Sequence, residues 1–77
     1  MSFIGPTDER LVETAGRTFK IFITEQVGGY WVATLLYSRN GTVDTKNMAD
    51  TDKAEAFRLI SEWILNNIDS NAVINPL

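Results

Sequence analysis

The chain contains neither histidine nor cysteine. Without histidine it lacks the side chain that titrates closest to neutrality, and with it the Ser-His-Asp and Cys-His arrangements of nucleophilic catalysis. Without cysteine there is no disulfide framework and no thiolate metal site, so a small fold must hold itself by packing or by association. Cations are also sparse: seven Lys and Arg stand against ten Asp and Glu, for a net charge of −3. Backbone-driven binding to nucleic acid needs clustered cations, whereas Arg10, Arg17, Lys20, Arg39, Lys46, Lys53 and Arg58 are scattered. Long apolar runs are missing as well. No stretch approaches the roughly 20 apolar residues that span a bilayer. The opening Met1-Ser2-Phe3-Ile4-Gly5-Pro6 lacks the basic segment and apolar run of a signal peptide. The expectation is a cytoplasmic protein with no membrane association.

What is present is the composition of a globular domain. Hydrophobic residues are 44% of the chain and charged residues 22%, which separates it from disordered sequences. Its 77 residues suit one domain over 1–77. A chain this short leaves much of its surface exposed around a marginal core, which makes self-association an expectation before any motif is read.

Thr18-Phe19-Lys20-Ile21-Phe22-Ile23-Thr24 alternates with a period of two and reads as a strand, with Phe19, Ile21 and Ile23 on one face. Gly28-Gly29 supplies the positive φ values of a tight hairpin. The aromatic and β-branched run Tyr30-Trp31-Val32-Ala33-Thr34-Leu35-Leu36-Tyr37 follows as a second strand. Asn40-Gly41 is the strongest short-range hairpin signal in the chain. It returns the chain through Thr42-Val43-Asp44-Thr45-Lys46, a polar strand whose charges suit a sheet edge.

The long helical pattern runs from Lys53 to about Ile68. Asp52 with Glu55 three residues on resembles a capping box. Ala56, Phe57, Ile60, Trp63, Ile64 and Ile68 form one apolar stripe at about 100° per residue, with Arg58, Glu62 and Asp69 opposite. Residues 8–14 fit either a short capped helix or a strand turning at Ala15-Gly16. The strand is preferred, because a helix under about eight residues has little support of its own. Residues 1–9 and 70–77 read as irregular tails. The expected fold is α+β, an antiparallel three- or four-stranded meander packed on one face by a C-terminal helix.

One helix of that length covers one side of a small sheet. Yet Trp31, Ala33, Leu35 and Tyr37 occupy one side of the second strand, and Tyr30, Val32, Thr34 and Leu36 the other. Phe22 likewise opposes Phe19, Ile21 and Ile23. Either the N-terminal segment (Phe3, Ile4, Leu11) covers the second face, or another subunit or partner does, and the second reading is preferred. Phe22, Trp31, Tyr37, Leu59 and Leu65 are the candidate partner or dimer contacts, since aromatic residues are enriched in interface cores. The competing expectation is a single-stranded nucleic-acid platform of Trp31 and Tyr37 flanked by Arg17, Lys20 and Arg39.

Little in the chain points to catalysis, a metal or a cofactor. Asp44, Asp50 and Asp52 lack the alternating spacing of a Ca²⁺ loop. Gly28-Gly29 lacks the lysine and hydroxyl of a P-loop, and Ser61 and Tyr37 have no evident activating neighbour.

Glu25, Gly28, Gly29, Tyr30, Trp31 and Val32, with Thr51, Glu55 and Ala56 at the helix entry, give residues 18–68 a pattern that resembles the N-terminal domain of HicB-like antitoxins. In place of that family's Pro-Gly strand end stands Ser38-Arg39-Asn40-Gly41. The resemblance implies an oligomeric β-sheet domain that masks a small toxin RNase. It brings no operator-binding domain and no toxin-contacting residue with it. The reading is therefore a small non-enzymatic interaction or regulatory protein, homodimeric, acting on a protein ligand.

Overall fold

The computed structural model describes residues 3–77, and side chains for residues 7–38 and 40–77. Four long strands follow one another as antiparallel neighbours: β1 (Phe3–Thr14), β2 (Arg17–Gln26), β3 (Tyr30–Arg39) and β4 (Thr42–Asp50). Helix α1 (Lys53–Asn67) comes next. A two-residue strand, β5 (Val73–Ile74), then joins the far side of β1, giving the order β4-β3-β2-β1-β5. This is the α+β meander with one C-terminal helix packed on its sheet, with one strand more than the three or four expected.

Turn chemistry sets the register. Arg39 faces Thr42, so Asn40-Gly41 is the whole loop between β3 and β4. Asn40 (φ 53°) and Gly41 (φ 79°) both adopt the left-handed conformation of a type I′ turn, whose twist matches that of the flanking strands. Between Gln26 and Tyr30 the chain turns through Val27-Gly28-Gly29, and the Gly29 N–H donates to the Gln26 carbonyl at 3.3 Å.

Of the expected tails, residues 3–9 are strand, residues 1–2 lie outside the described residues, and 70–77 is irregular apart from the two-residue β5. From Phe3 onward the segment read as an irregular tail is strand, and residues 8–14 continue it, because β2 supplies partners to Phe3, Ile4 and every residue from Asp8 to Thr14. Ile4 faces Glu25 while Asp8 faces Ile23, so β1 uses four residues where β2 uses two. Pro6 lies in that irregularity, where its missing N–H costs the ladder least. At the other terminus Ile74 and Val73 pair with Val12 and Glu13. The Asn75 N–H donates to the Leu11 carbonyl at 3.0 Å, and Arg10 Nε donates to the Pro76 carbonyl at 2.9 Å.

Geometry explains that second correction. A 15-residue helix is about 22 Å long, and it lies mainly over β3 and β4. The apolar residues of β1 and β2 need a further cover. Ile68, Ala72 and Ile74 pack against the core that includes Val12 and Phe19, so the tail is recruited into the fold.

The helix begins at Asp52, whose side chain accepts the Glu55 N–H at 3.2 Å. Only half of the capping box forms. The Glu55 carboxylate turns to Arg58, while the Asp52 N–H donates to Asp50 Oδ1 at 2.9 Å. Ala56, Ile60 and Ile64 are fully buried against Ile21, Ile23, Ala33 and Leu35, and Phe57, Trp63 and Ile68 are partly buried around them. This is the stripe read from the sequence. Arg58 bridges Glu55 and Glu62 on the exposed side. Asp69, expected opposite the stripe, instead accepts from the Asn71 N–H at 2.9 Å and the Ala15 N–H at 3.4 Å, tying the helix exit to the β1–β2 turn. Among the described residues no helix is long and apolar enough to cross a membrane.

Candidate interaction surface

Strand alternation gives the sheet two unlike faces. Beneath α1 lie Val12, Phe19, Ile21, Ile23, Ala33 and Leu35. The opposite face is built from the other residues of the same strands, in cross-strand pairs Lys20–Leu36, Phe22–Thr34, Thr24–Val32 and Gln26–Tyr30. On one side β1 adds Glu9 beside Phe22, Leu11 beside Lys20 and Glu13 beside Thr18. On the other, β4 adds Val43, Thr45, Asn47 and Ala49.

Over the part of this face that carries Leu11, Leu36 and Val43 no element of the described fold lies. Leu11, Leu36, Val43 and Val73 are exposed, and Phe22 is half-buried among threonines. Its charges are Lys20 near the centre with Glu9 and Glu13 on the neighbouring strand. Strands of nine to twelve residues rise about 3.3 Å per residue and lie about 4.8 Å apart. The four long strands therefore present a face of roughly 600 Å² in projection.

One end of the face is closed. Val32 is 5% and Gln26 1% exposed. Gln26 Nε2 donates to Thr24 Oγ1 at 2.7 Å, and its Oε1 is buried without a partner among the described residues. An unpaired buried amide oxygen forfeits part of its hydration; Gln26 is held by the strand, not by a completed polar network.

The N-terminal segment, a candidate cover, runs in the plane of the sheet beside β2, and its Leu11 adds to the apolar surface. The side chains of Phe3 and Ile4 lie outside the described residues. Of the five candidate contacts, only Phe22 belongs to this face. Trp31 and Tyr37 stand on the helix side. The Trp31 ring lies 5.1 Å from Lys53 Nζ, and the Tyr37 ring packs 5.6 Å from that of Trp63. Leu59 lines a groove with Met48 and Trp63 between α1 and β4, and Leu65 is exposed on the helix. The sequence had all the information to separate these, since Trp31 and Tyr37 alternate in phase with Ala33 and Leu35. Leu36, Leu11 and Val43 carry the same parity signal and complete the surface around Phe22.

The nucleic-acid set is likewise divided. Lys20 stands on the open face. Arg17 Nη1 donates to the Ser38 carbonyl at 3.1 Å, bridging strand ends beyond the last β2–β3 pair. The Arg39 side chain lies outside the described residues, and Trp31 and Tyr37 pack under α1.

The acids are dispersed. Asp44 and Asp50 are six residues apart on one strand, about 20 Å, and Asp50 and Asp52 serve the helix start. Among the described residues no three potential ligands gather around a metal position. Asp8 is the acid with the clearest electrostatic partner. The Lys53 ammonium hydrogen-bonds its carboxylate and holds it below the ordinary carboxylate range. Lys53 thereby joins β1, β3 and the first turn of α1, a structural assignment. Comparison with known proteins finds no family model, no curated protein and no solved structure that matches this chain.

Proposed function

We propose that this chain is a small, self-associating, non-enzymatic interaction protein that binds a protein ligand through the open face of its sheet. The observation that carries the reading is the unlike cover of the two faces. Strands that bury Ile21, Ile23 and Leu35 completely on one side expose Leu11, Leu36 and Val43 on the other. Exposed apolar side chains grouped on one sheet face suit a contact surface. Phe22 and Leu36 lie beside Lys20 near its middle, with Thr24, Thr34 and Thr45 around them. Among the described residues Lys20 is the one cation on the face, which disfavours a nucleic-acid platform there.

The concrete version is regulatory masking. The resemblance to HicB-like antitoxins supports a small protein, by analogy a toxin RNase, as the ligand of such a face. The test is comparative capture on immobilised chain, wild type against Phe22→Asp and Leu36→Asp, with far-UV circular dichroism to show that each is folded. The expected result is a protein retained by wild type and lost from both variants. Equal retention by all three would sink the open face as the binding surface. Retention of a single-stranded oligonucleotide in its place would overturn the ligand class.

A further inference from the structure

β4 is the outermost strand on one side of the sheet, and among the described residues no strand lies beyond it. The opposite edge is partly closed, since β5 pairs with β1 at Val12 and Glu13. An open edge presents unpaired N–H and C=O groups, a template for another strand, and proteins commonly blunt it with proline, bulges or charge. From Thr42 to Asp50 there is no proline, and pairing with β3 continues without a bulge. The two interior charges are of opposite sign. Asp44 and Lys46 stand two residues apart, opposite Tyr37 and Leu35, and so on the same, helix-bearing face.

That spacing selects a partner. When two copies of β4 pair antiparallel about a two-fold axis, the residue at the axis faces itself. Centred on Lys46 the pair sets ammonium against ammonium, and centred on Asp44 it sets carboxylate against carboxylate. Centred on Asn47 it brings Asp44 onto Asp50. Directly opposed like charges destabilise a strand pair, whereas opposite charges stabilise it. Centred on Thr45, Asp44 of each copy faces Lys46 of the other, Val43 faces Asn47 and Thr42 faces Met48. Centring on Met48 also pairs Lys46 with Asp50, but within a shorter overlap.

We propose that the chain forms a homodimer by edge-to-edge pairing of β4, centred on Thr45. This rests on the self-associating reading above and names the contact. Two five-stranded sheets become one continuous sheet, with both helices on one side and both open faces together on the other. The groove of Leu59, Met48 and Trp63 runs beside the same edge, so the second copy covers it. Asp44 and Lys46 thus repel an identical strand centred on either of them and favour the longer overlap centred on Thr45.

The experiment is the molar mass of the full chain in solution over a concentration series, for wild type, Asp44→Lys, Lys46→Asp and an equimolar mixture of the two variants. Wild type is expected to be a dimer. Each variant alone opposes like charges twice and is expected to self-associate at least tenfold more weakly. The mixture is expected to recover the dimer mass, because every cation again faces an acid. That recovery also shows that both variants are folded. A wild type that stays monomeric, variants that dimerise as wild type does, or a mixture that stays monomeric would each overturn the proposal. Loss of the dimer in Phe22→Asp but not in the charge variants would move self-association to the sheet face. A monomeric wild type that still captures a ligand through Phe22 and Leu36 would leave the open-face reading standing without the edge dimer.

Discussion

The two faces of this sheet are made by the same strands, yet they meet different surroundings. Ile21 and Leu35 are fully buried, while Leu36, adjacent in the chain to Leu35, is 42% exposed. Hydrophobicity does not distinguish these leucines. The layer placed against each one does. Under α1 and the C-terminal tail, side chains meet Ile60, Ile64 and Ile74. On the other side Leu11, Leu36 and Val43 meet solvent. Burial therefore has to be read from the arrangement of layers before a residue is assigned to core or to interface.

That comparison can be broken by substitution. Ile64→Ala should have the largest effect, about 2–5 kcal/mol of unfolding free energy, because it deletes buried methyl groups in the covered layer. Denaturant titration measures it directly. Asp52→Ala should cost about 1 kcal/mol by removing the acceptor of the Glu55 N–H. Leu36→Ala, measured at concentrations where the chain is monomeric, should stay within about 0.5 kcal/mol. A Leu36 effect as large as that of Ile64 would mean that both faces are covered in the isolated chain.

The smallest expected effect lies in pH. The Asp8 carboxyl is held below its unfolded value by the Lys53 hydrogen bond, then by the charge of Lys53. A depressed folded value makes the contribution complete above the ordinary carboxylate range, near pH 4, and lost as pH falls through the folded value. In Lys53→Met, stability should lose part of its acid dependence in that window. Identical acid profiles for wild type and variant would remove Asp8–Lys53 from the energetics.

Much of the fold was legible because its signals are local. Asn40-Gly41 and Gly28-Gly29 define hairpins through backbone conformations that few other residues adopt. The helix stripe from Ala56 to Ile68 and the Asp52 cap are periodic or positional signals within one element. Failures came where the answer depends on residues far apart in sequence. Val73 and Ile74 carry no strand pattern of their own, and become strand only because Val12 and Glu13 offer partners. The stretch from Phe3 to Glu9, interrupted by Gly5-Pro6, is strand because β2 continues beside it. In the candidate surface, parity placed Phe22 and Leu36 together. Aromatic character alone drew Trp31 and Tyr37 to the same site, and packing against α1 takes them away.

The seam between β1 and β5 also bears on how the chain assembles. Every other strand contact joins neighbours in sequence through a short turn, the kind of contact that forms quickly. The seam joins residues near opposite ends: Arg10 reaches Pro76, and Asn75 reaches Leu11. Residues 73–74 are synthesised after the four long strands, so the meander can pair its hairpins while the first strand still lacks its outer neighbour. Completion of the sheet then waits on a distant segment, and until it docks the edge of β1 is open to other strands.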